Sequence, residues 1–340
     1  MVRARSVLAV LAAVGLLEAV AWAQRMELAW PTPNPAWTEG KPLEDFIQPT
    51  VSGEVLSGCF GCVRTSGAQF HEGIDLKPVK RDRRSEPVDP VFAVLGGVVR
   101  HVSTRAGDSS YGRYVVVEHL GASPAVYSLY AHLASVAEGL RVGDQVHTGQ
   151  TLGVMGRSAG GYTIPRERAH LHFELGVMVT REFQSWYNLR KFGSPNEHGL
   201  WNGMNLMGFD PLDFLEAYRA RKVNTFLEYL AAMKPAATFR IATHRFPDFP
   251  KRYPDLVARQ PEGLVAGWEV TVNHTGLPFR WKALSSMEMV GYRNNEVRIV
   301  EHDAAVTKAT RCKSLVVSNR GVPAPGRDLQ TLIQQLFGVN

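Results

Sequence analysis

Two histidines in one short segment have the spacing that metal chemistry needs. The run His170-Leu171-His172-Phe173-Glu174-Leu175 alternates polar and apolar residues, which is the period of a half-buried β-strand. Side chains two residues apart on a strand point to the same face, so both imidazoles should project together, away from the packed side. A neutral imidazole is a good zinc ligand. The alternative is a hydrogen-bonded histidine pair on a solvated face.

A second segment supplies the partners that a metal site requires. It has the sequence His71-Glu72-Gly73-Ile74-Asp75. Residues four apart in an extended segment share a face, so His71 and Asp75 can converge on one ion, and Gly73 leaves the approach unobstructed. Two imidazoles and one carboxylate form a three-ligand zinc set, whose fourth tetrahedral position stays open for water. An open position is typical of a catalytic zinc site rather than a structural one.

A third segment, Tyr130-Ala131-His132-Leu133, ends a predicted β segment. We interpret His132 as a histidine that faces the water beside the metal without binding the metal. An imidazole with a pKa of about 6.5 can take up and return a proton there. The alternative is a hydrogen-bonded histidine in the core or at its rim.

In order along the chain, these segments resemble the lysostaphin/LytM-type zinc metallopeptidases, which are peptidoglycan endopeptidases. The motifs are HxGxD at 71–75, YAHL at 130–133 and HLHFEL at 170–175. The segment 111–119 and the Gly-Asp and Gly-Gln turns that follow it resemble the same family. The resemblance covers residues 51–215, and an ordered triple of this kind is a specific pattern.

The resemblance implies one zinc ion, bound by His71, Asp75 and His172. It also implies that His132 and His170 flank the zinc-activated water without binding the metal. One of these two would be the general base and the other would stabilise the oxyanion, and both assignments stay open.

Glu174 and two insertions lie near the motifs. Glu174 alternates onto the face of the two strand histidines, where it either orients an imidazole or is a plain surface carboxylate. The loop at 158–169 is several residues longer than the family usually has, and 181–201 is a polar, aromatic-bearing surface insertion. We expect both insertions to rim the substrate groove. Asp210-Pro211 resembles the closing element of the family.

The elements around the motifs predict a mainly β fold. Between residues 51 and 175, short apolar or alternating segments are separated by turns, which is typical of a small, strongly coiled antiparallel sheet with long loops. Strands are predicted at 91–94, 97–102, 114–118 and 126–132. No useful helical period occurs before residue 210, and one helix is predicted over 211–233 with Asp210 as its cap.

Four parts of the chain are predicted. They are a signal peptide at 1–23, a proline-rich N-terminal arm at 24–50 lying over the surface, a zinc metallopeptidase domain at 51–215, and a helix with a small α+β region at 216–340. In the last part we predict a hairpin around Thr275-Gly276, further strands at 297–300 and 314–317, and an amphipathic helix at 328–337. This part carries no chemical motif.

Residues 1–23 predict export. Arg3 and Arg5 precede an apolar run at 7–20, and Ala21-Trp22-Ala23 is a cleavage pattern. The run is shorter than the roughly 20 apolar residues of a membrane span, and no later stretch qualifies. We therefore expect a soluble periplasmic or secreted protein without a transmembrane segment.

Charge and cysteine content restrict the partners. Signal removal changes the formal charge from +6 to +5 in this chain of 340 residues, and a basic surface attracts polyanions such as the cell wall. No clustered basic run or aromatic–basic alternation indicates nucleic-acid binding. We expect a local disulfide between Cys59 and Cys62, with Cys312 left over and buried.

These patterns predict an exported zinc metalloendopeptidase that hydrolyses peptide bonds in peptidoglycan cross-links or stem peptides through a zinc-activated water. The alternative is a non-catalytic module that binds peptidoglycan or activates other wall hydrolases. All five site positions are intact, which favours the enzyme.

Overall fold

Short β-strands make up most of the regular structure, which confirms the predicted mainly β fold. The computed structural model describes residues 25–259 and 263–339, so the predicted signal peptide lies outside the described residues. The strands are β1 Gly61–Arg64, β2 Gln69–His71, β3 Ile74–Leu76, β4 Pro90–Phe92, β5 Gly97–Ser103, β6 Tyr114–Glu118, β7 Tyr127–Ala131, β8 Ser135–Val136, β9 Gln145–Val146, β10 Thr151–Val154, β11 Leu171–Met178, β12 Leu206–Phe209, β13 Ala237–Ala242, β14 Val257–Arg259, β15 Gly267–Val272, β16 Pro278–Leu284, β17 Val297–His302, β18 Val316–Asn319 and β19 Val322–Pro325.

The helices are α1 Phe183–Arg190, α2 Pro211–Arg219, α3 Phe226–Ala231, α4 Asp248–Arg252, α5 Ala304–Ala309 and α6 Arg327–Phe337. Single 3-10 turns lie at Leu43–Asp45, Val55–Gly58, Ala106–Asp108, Arg166–Arg168, Gly199–Trp201, Gly203–Asn205 and Pro254–Leu256. Among the described residues, no helix combines the length and the apolar character that a bilayer crossing requires.

A seven-stranded antiparallel sheet carries the predicted site segments. Its strand order is β12-β11-β7-β6-β5-β9, and β3 also pairs with β11. Every residue of β11 is buried, so the prediction of a half-buried strand is wrong. The second face is covered because Trp201, which ends the insertion at 181–201, and Leu206, which follows it, pack on Tyr114 and Tyr127.

The insertion at 181–201 contains a helix, which contradicts the prediction that no helix occurs before residue 210. In α1, Phe183, Trp186 and Tyr187 have the spacing of one helical face and are buried together. The helix is only eight residues long, so its pattern of three apolar positions covers too few turns to predict a helix from the sequence.

The predicted helix over 211–233 is two helices, so the prediction is right at its start and wrong in its continuity. Asp210 caps α2, because its carboxylate accepts from the backbone N–H groups of Leu212 and Asp213. The chain then leaves the helix through Arg221, whose φ of 57° lies in the left-handed region. The hydroxyl of Thr225 caps α3 by accepting from the N–H of Glu228.

The C-terminal part forms a five-stranded sheet in the order β14-β16-β15-β13-β17. The predicted hairpin is confirmed as β15 and β16, which pair antiparallel on either side of Thr275-Gly276. The terminal helix is confirmed as α6, whose apolar residues Leu329, Leu332, Ile333 and Leu336 are buried. The strand β13 was not predicted from the sequence, although its residues alternate and it lies inside the sheet.

One cluster of buried apolar side chains runs through both sheets and includes the aromatic residues of the N-terminal arm. Trp30 stacks on Trp37 at 4.6 Å between ring centroids, and Phe46 meets Trp30 edge-on. The indole N–H of Trp37 donates to Glu216 on α2 at 2.7 Å. The arm is therefore packed into the core, not laid over the surface as we expected.

The disulfide joins Cys62 to Cys312, which overturns the expected pair of Cys59 and Cys62. The Cα atoms of the bridged pair are 5.6 Å apart although 250 residues separate them in sequence. Pairing depends on Cα separation in the folded chain, which close spacing in the sequence does not determine. Cys59 is a free, partly buried thiol. Burial, with a smaller effect of Asp210, raises its pKa to about 11, so the thiol stays protonated at neutral pH.

Candidate metal centre

Strand register brings Asp75 and His172 face to face. On β11, His172 lies opposite Asp75 of β3 on one side and opposite Ala131 of β7 on the other. Directly opposed residues of antiparallel strands point to the same face, with Cβ atoms about 5 Å apart. The two side chains therefore meet because of the sheet, across 97 residues of sequence.

A tight turn brings His71 to the same place. His71 ends β2, and the chain turns through Glu72 and Gly73 into β3. A Cβ atom on Gly73 would lie 2.2 Å from the carbonyl oxygen of Phe173 on β11. Only glycine permits this close approach of the turn to β11, which gives Gly73 a reason beyond the open approach that we inferred.

His71, Asp75 and His172 form a buried cluster whose ligand atoms all lie within 4.8 Å of one another. The Nε2 atom of His71 is 3.0 Å from Nδ1 of His172 and 3.1 Å from Oδ1 of Asp75. Nδ1 of His172 is also 3.1 Å from Oδ1 of Asp75. Each side chain is 5% exposed or less, so the three atoms meet away from bulk water.

Hydrogen bonds on the outer nitrogens define which ring atoms of His71 and His172 face the cluster. Nδ1 of His71 lies 2.7 Å from the carbonyl oxygen of Cys59 and must donate to it. Nε2 of His172 lies 2.9 Å from Oε1 of Glu174 and donates to that carboxylate. In neutral imidazoles the inward nitrogens then carry lone pairs. Once His172 gives up the proton on Nδ1, two nitrogen lone pairs and a carboxylate oxygen face one another, and this donor set fits a divalent cation.

Arg64 holds the second oxygen of Asp75. Its Nη2 atom donates to Oδ2 of Asp75 at 2.5 Å, and its Nε atom donates to the carbonyl oxygen of Ser57 at 3.3 Å. Burial raises the pKa of Asp75, but His170, His71 and His172 lower it more, and the net pKa lies well below its usual value. Asp75 is therefore a carboxylate with one oxygen directed at the cluster and one paired with Arg64.

Glu174 is buried under the cluster, which excludes the interpretation as a surface carboxylate. It is 1% exposed and accepts from the hydroxyls of Tyr111 at 2.6 Å and Tyr127 at 2.8 Å. Burial lowers the pKa of His172, but hydrogen bonds to Asp75 and Glu174 raise it more, to about 9. Glu174 therefore fixes the ring orientation of His172.

His132 and His170 lie beside the cluster. Their ring centroids are 4.9 Å apart, and that of His132 is 5.9 Å from that of His172. Nδ1 of His132 donates to the carbonyl oxygen of Ser158 at 2.9 Å, and Nδ1 of His170 donates to that of Arg168 at 2.7 Å. Burial is the main cause that lowers the pKa of both imidazoles, well below the usual value for His132. Both rings are therefore neutral.

Two features of this pair stand apart from an ordinary core histidine. Nε2 of His170 is buried and has no hydrogen-bond partner among the described residues, although Oδ1 of Asp75 is 3.5 Å away. His132 has a φ of 62°, in a region that costs a non-glycine residue about 1–3 kcal/mol. The N–H of His132 donates to the carbonyl of Tyr111 at 2.9 Å and helps to hold this conformation.

A small cavity of about 120 Å³ opens onto the site. It is lined by Asp75, His132 and His170 together with Arg64 and with Tyr162, Thr163, Ile164 and Arg168 of the long loop at 158–169. The other insertion, 181–201, lines a larger cavity of about 580 Å³ that it shares with the C-terminal part, including Lys313. Of the two insertions, the loop at 158–169 is thus the one that lines the cavity at the cluster.

The structure brings the five predicted site residues together, three in the cluster and His132 and His170 beside it. It also adds neighbours that the sequence did not predict. Arg64, Tyr111 and Tyr127 were not singled out, because isolated arginines and tyrosines carry no spacing signal. For Tyr127 a signal does exist in the sequence. It lies four residues before Ala131, and therefore on the same face of a strand that leads into a motif histidine. Nothing local in the sequence indicates the pairing of Arg64 with Asp75.

Comparison with known families matches residues 69–182 to the model of peptidase family M23. The matched segment contains His71, Asp75, His132, His170 and His172. This match confirms the family resemblance predicted from the motifs and supports a hydrolase of the peptidase type. Among curated proteins, no relative matches the chain.

Solved structures similar to the chain include three that are named as endopeptidase, peptidase or M23 protein. A putative glycyl-glycine endopeptidase LytM from Ruminococcus gnavus is 30% identical over 32% of this chain and 39% of its own, with a TM-score of 0.25. The catalytic domain of the antimicrobial peptidase lysostaphin from Staphylococcus simulans is 21% identical over 47% and 87% of the two chains, with a TM-score of 0.29. The catalytic domain of the prophage-encoded M23 protein EnpA from Enterococcus faecalis is 22% identical over 38% and 80%, with a TM-score of 0.27. The chain spans well under half the length of the LytM protein.

Proposed function

We propose that this chain is an exported zinc metalloendopeptidase that hydrolyses peptide bonds in the cross-links or stem peptides of bacterial peptidoglycan. The match of residues 69–182 to peptidase family M23 supports the reaction type. The resemblance of the motifs supports the substrate class, and the pattern of residues 1–23 supports export to the periplasm or beyond.

The observation that carries the proposal is the convergence of three ligand atoms, from His71, Asp75 and His172, at 3.0–3.1 Å from one another. A structural zinc site is closed by four protein ligands, whereas a catalytic site uses three and keeps a position for water or substrate. Three ligand atoms beside an open cavity support the catalytic kind. Two further imidazoles that are not needed as ligands support it independently.

In the proposed mechanism, Nε2 of His71, Oδ1 of Asp75 and Nδ1 of His172 would hold the zinc ion. Zinc, when bound, lowers the pKa of water to about 7 and polarises carbonyl groups. Arg64 and Glu174 keep Asp75 and His172 in position through the contacts described above. These contacts reduce the reorganisation that ligand binding would otherwise require.

His132 and His170 handle the proton and the developing charge. Their Nδ1 atoms are committed to backbone carbonyls, so each presents Nε2 as the atom that can accept a proton. One imidazole takes the proton of the attacking water and returns it to the leaving amine, a contribution of about 10²–10⁴ in rate. The other donates a hydrogen bond to the oxyanion of the tetrahedral intermediate once it is protonated.

The experiment is a digestion of purified peptidoglycan by the protein without residues 1–23. We expect soluble peptide-bearing fragments, identified by mass, whose release stops with a chelator and resumes when zinc is added back. The matched control is His71→Ala, which should release none. If the zinc-loaded protein binds peptidoglycan and releases no fragment, the non-catalytic module replaces this proposal.

A further inference from the structure

Two guanidinium groups line the small cavity over the cluster, and within the described part of the chain only that of Arg64 has a partner. Arg64 is committed to Asp75 and to the carbonyl of Ser57. For the side chain of Arg168, which is half-buried, the described residues offer no hydrogen bond, ion pair or aromatic contact. Its charge is therefore uncompensated at the mouth of the site.

Two arginines near Arg168 in the sequence are paired, which makes Arg168 an exception among them. Arg157 and Arg166 both bind Glu86, at 2.8 Å and 3.0 Å. Arg168 ends the 3-10 turn Arg166–Arg168, and its carbonyl oxygen holds Nδ1 of His170. The turn thus fixes the backbone of Arg168 two residues from a site histidine while its side chain lines the cavity.

Charge and size together define the chemistry that fits this cavity. Asp75 is the only carboxylate among the described lining residues and is already paired with Arg64. A guanidinium presents parallel N–H groups that match the two oxygens of a carboxylate. The volume of about 120 Å³ is well below the 300–1,000 Å³ of ordinary ligand pockets. It suits a small carboxyl-bearing group better than a bulky side chain.

We propose that Arg168 binds a free carboxylate of the substrate peptide next to the bond that is cleaved, so that the site selects anionic peptides. This inference rests on the proposed function and adds the residue that determines specificity. The unpartnered Nε2 of His170 lies in the same cavity. A peptide anchored at Arg168 therefore lies within reach of the proton-transferring residues.

The test compares two forms of one substrate. Purified peptidoglycan is used untreated and after its carboxyl groups have been converted to amides, and initial rates of fragment release are measured for each. Hydrogen bonds to a charged group contribute about 1.5–3 kcal/mol, which corresponds to a preference of about 10- to 150-fold for the untreated form. We expect Arg168→Ala to reduce this preference to near unity by raising the half-saturating substrate concentration, with a smaller effect on the maximal rate.

Arg166→Ala is the matched control, because it removes one positive charge from the same turn without touching the cavity. It should keep the preference of the original protein, which separates local recognition from general attraction between a basic protein and an anionic polymer. Arg168→Gln keeps a polar side chain but removes the charge and the paired N–H groups of the guanidinium, so it should behave like Arg168→Ala. Melting temperature and zinc content are measured for each variant, so that only folded, metal-loaded protein is compared.

The outcomes separate this inference from the function on which it rests. If Arg168→Gln keeps the original preference for untreated peptidoglycan, Arg168 does not bind the carboxylate and the inference fails. The inference also fails if Arg168→Ala lowers the rates on untreated and amidated peptidoglycan by the same factor. That result would indicate a role in catalysis or scaffolding. If the unsubstituted protein digests neither untreated nor amidated peptidoglycan, the proposed function itself is contradicted.

Discussion

At the residue scale, the orientation of the imidazoles follows one rule. In three of the four site histidines, the Nδ1–H group donates a hydrogen bond to a backbone carbonyl, so that Nε2 points inward; these are His71, His132 and His170. His172 is reversed, because Glu174 takes its Nε2 and leaves Nδ1 for the cluster. Each ring is therefore oriented by the acceptor of its outer N–H group. We expect a substitution that removes such an acceptor to act through the histidine that the acceptor orients.

The first prediction separates the metal ligands from the proton-handling histidines. Asp75→Ala should abolish both stoichiometric zinc and hydrolysis, because it leaves two ligands and an unpaired Arg64. His170→Ala should retain zinc but lose about 10²–10⁴ in turnover. Metal analysis and initial rates on the same preparations check both results. Full zinc occupancy in Asp75→Ala, or equal zinc loss in His170→Ala, would contradict the assignment.

The second prediction concerns the carboxylate behind His172. Glu174→Gln keeps the size of the side chain but removes the charge that accepts from His172 Nε2–H. Zinc affinity should fall about 10–100-fold, as measured by competition with a chelating dye. Glu72→Gln is the control, since this substitution makes the same chemical change at an exposed position next to a ligand. Unchanged affinity in Glu174→Gln would show that the charge of Glu174 is not needed to orient the ring.

At the element scale, the start of α2 combines a good cap with an unfavourable charge. Asp210 accepts from two backbone N–H groups. Burial nevertheless raises its pKa to about 6, because the hydrogen bonds only partly offset the loss of hydration. The folded state then binds the proton more tightly than the unfolded state. The ionised carboxyl costs stability above pH 6, and the cost disappears as the pH falls towards 4.

The third prediction uses this sign. Asp210→Asn keeps a capping oxygen without the charge, so at pH 8 it should be more stable than the original protein by about 1–3 kcal/mol. The difference should shrink towards zero near pH 4, as followed by denaturant unfolding across this range. Asp303→Asn makes the same change at the exposed cap of α5 and is the control. A stability loss at pH 8 in Asp210→Asn would mean that the charged cap outweighs its burial.

At the scale of the whole molecule, the C-terminal part is fastened to the strands that lead into the site. Cys62 on β1 is bridged to Cys312, and β1 pairs with β2, where Gly61 lies opposite His71. The Nζ atom of Lys313 lies 4.0 Å from the ring centre of Phe70. The apolar cluster that runs through both sheets makes the same connection in the interior.

The fourth prediction tests this fastening. Cys312→Ser should lower the free energy of unfolding by about 2–5 kcal/mol, because it releases a cross-link that closes a long loop. Cys62→Ser should cost the same, and the double variant should cost no more than either one. Cys59→Ser changes a thiol without a bridge and should have a much smaller effect. Equal losses for Cys59→Ser and Cys312→Ser in denaturant titrations would indicate that the thiols matter as packed side chains.

The sequence by itself determined the local features of this protein. Alternation predicted β6 and β11, the glycine turns predicted a coiled antiparallel sheet, and the apolar stripe predicted α6, because each pattern is set by neighbours a few residues apart. The three motifs also predicted which residues would gather at one site. Periodicity and spacing are short-range properties, and the sequence contains them in full.

Only the tertiary structure decided how these pieces are surrounded. The burial of β11 on both faces depends on Trp201 and Leu206, at the end of the insertion at 181–201 and just after it, and Glu174 is enclosed by Tyr111 and Tyr127. The bridge of Cys62 to Cys312 and the pairing of Arg64 with Asp75 depend on the register and packing of elements that are distant in sequence. Such contacts form because the folded chain removes apolar surface from water and must then satisfy the polar groups it buries. No local pattern specifies which distant group will satisfy them.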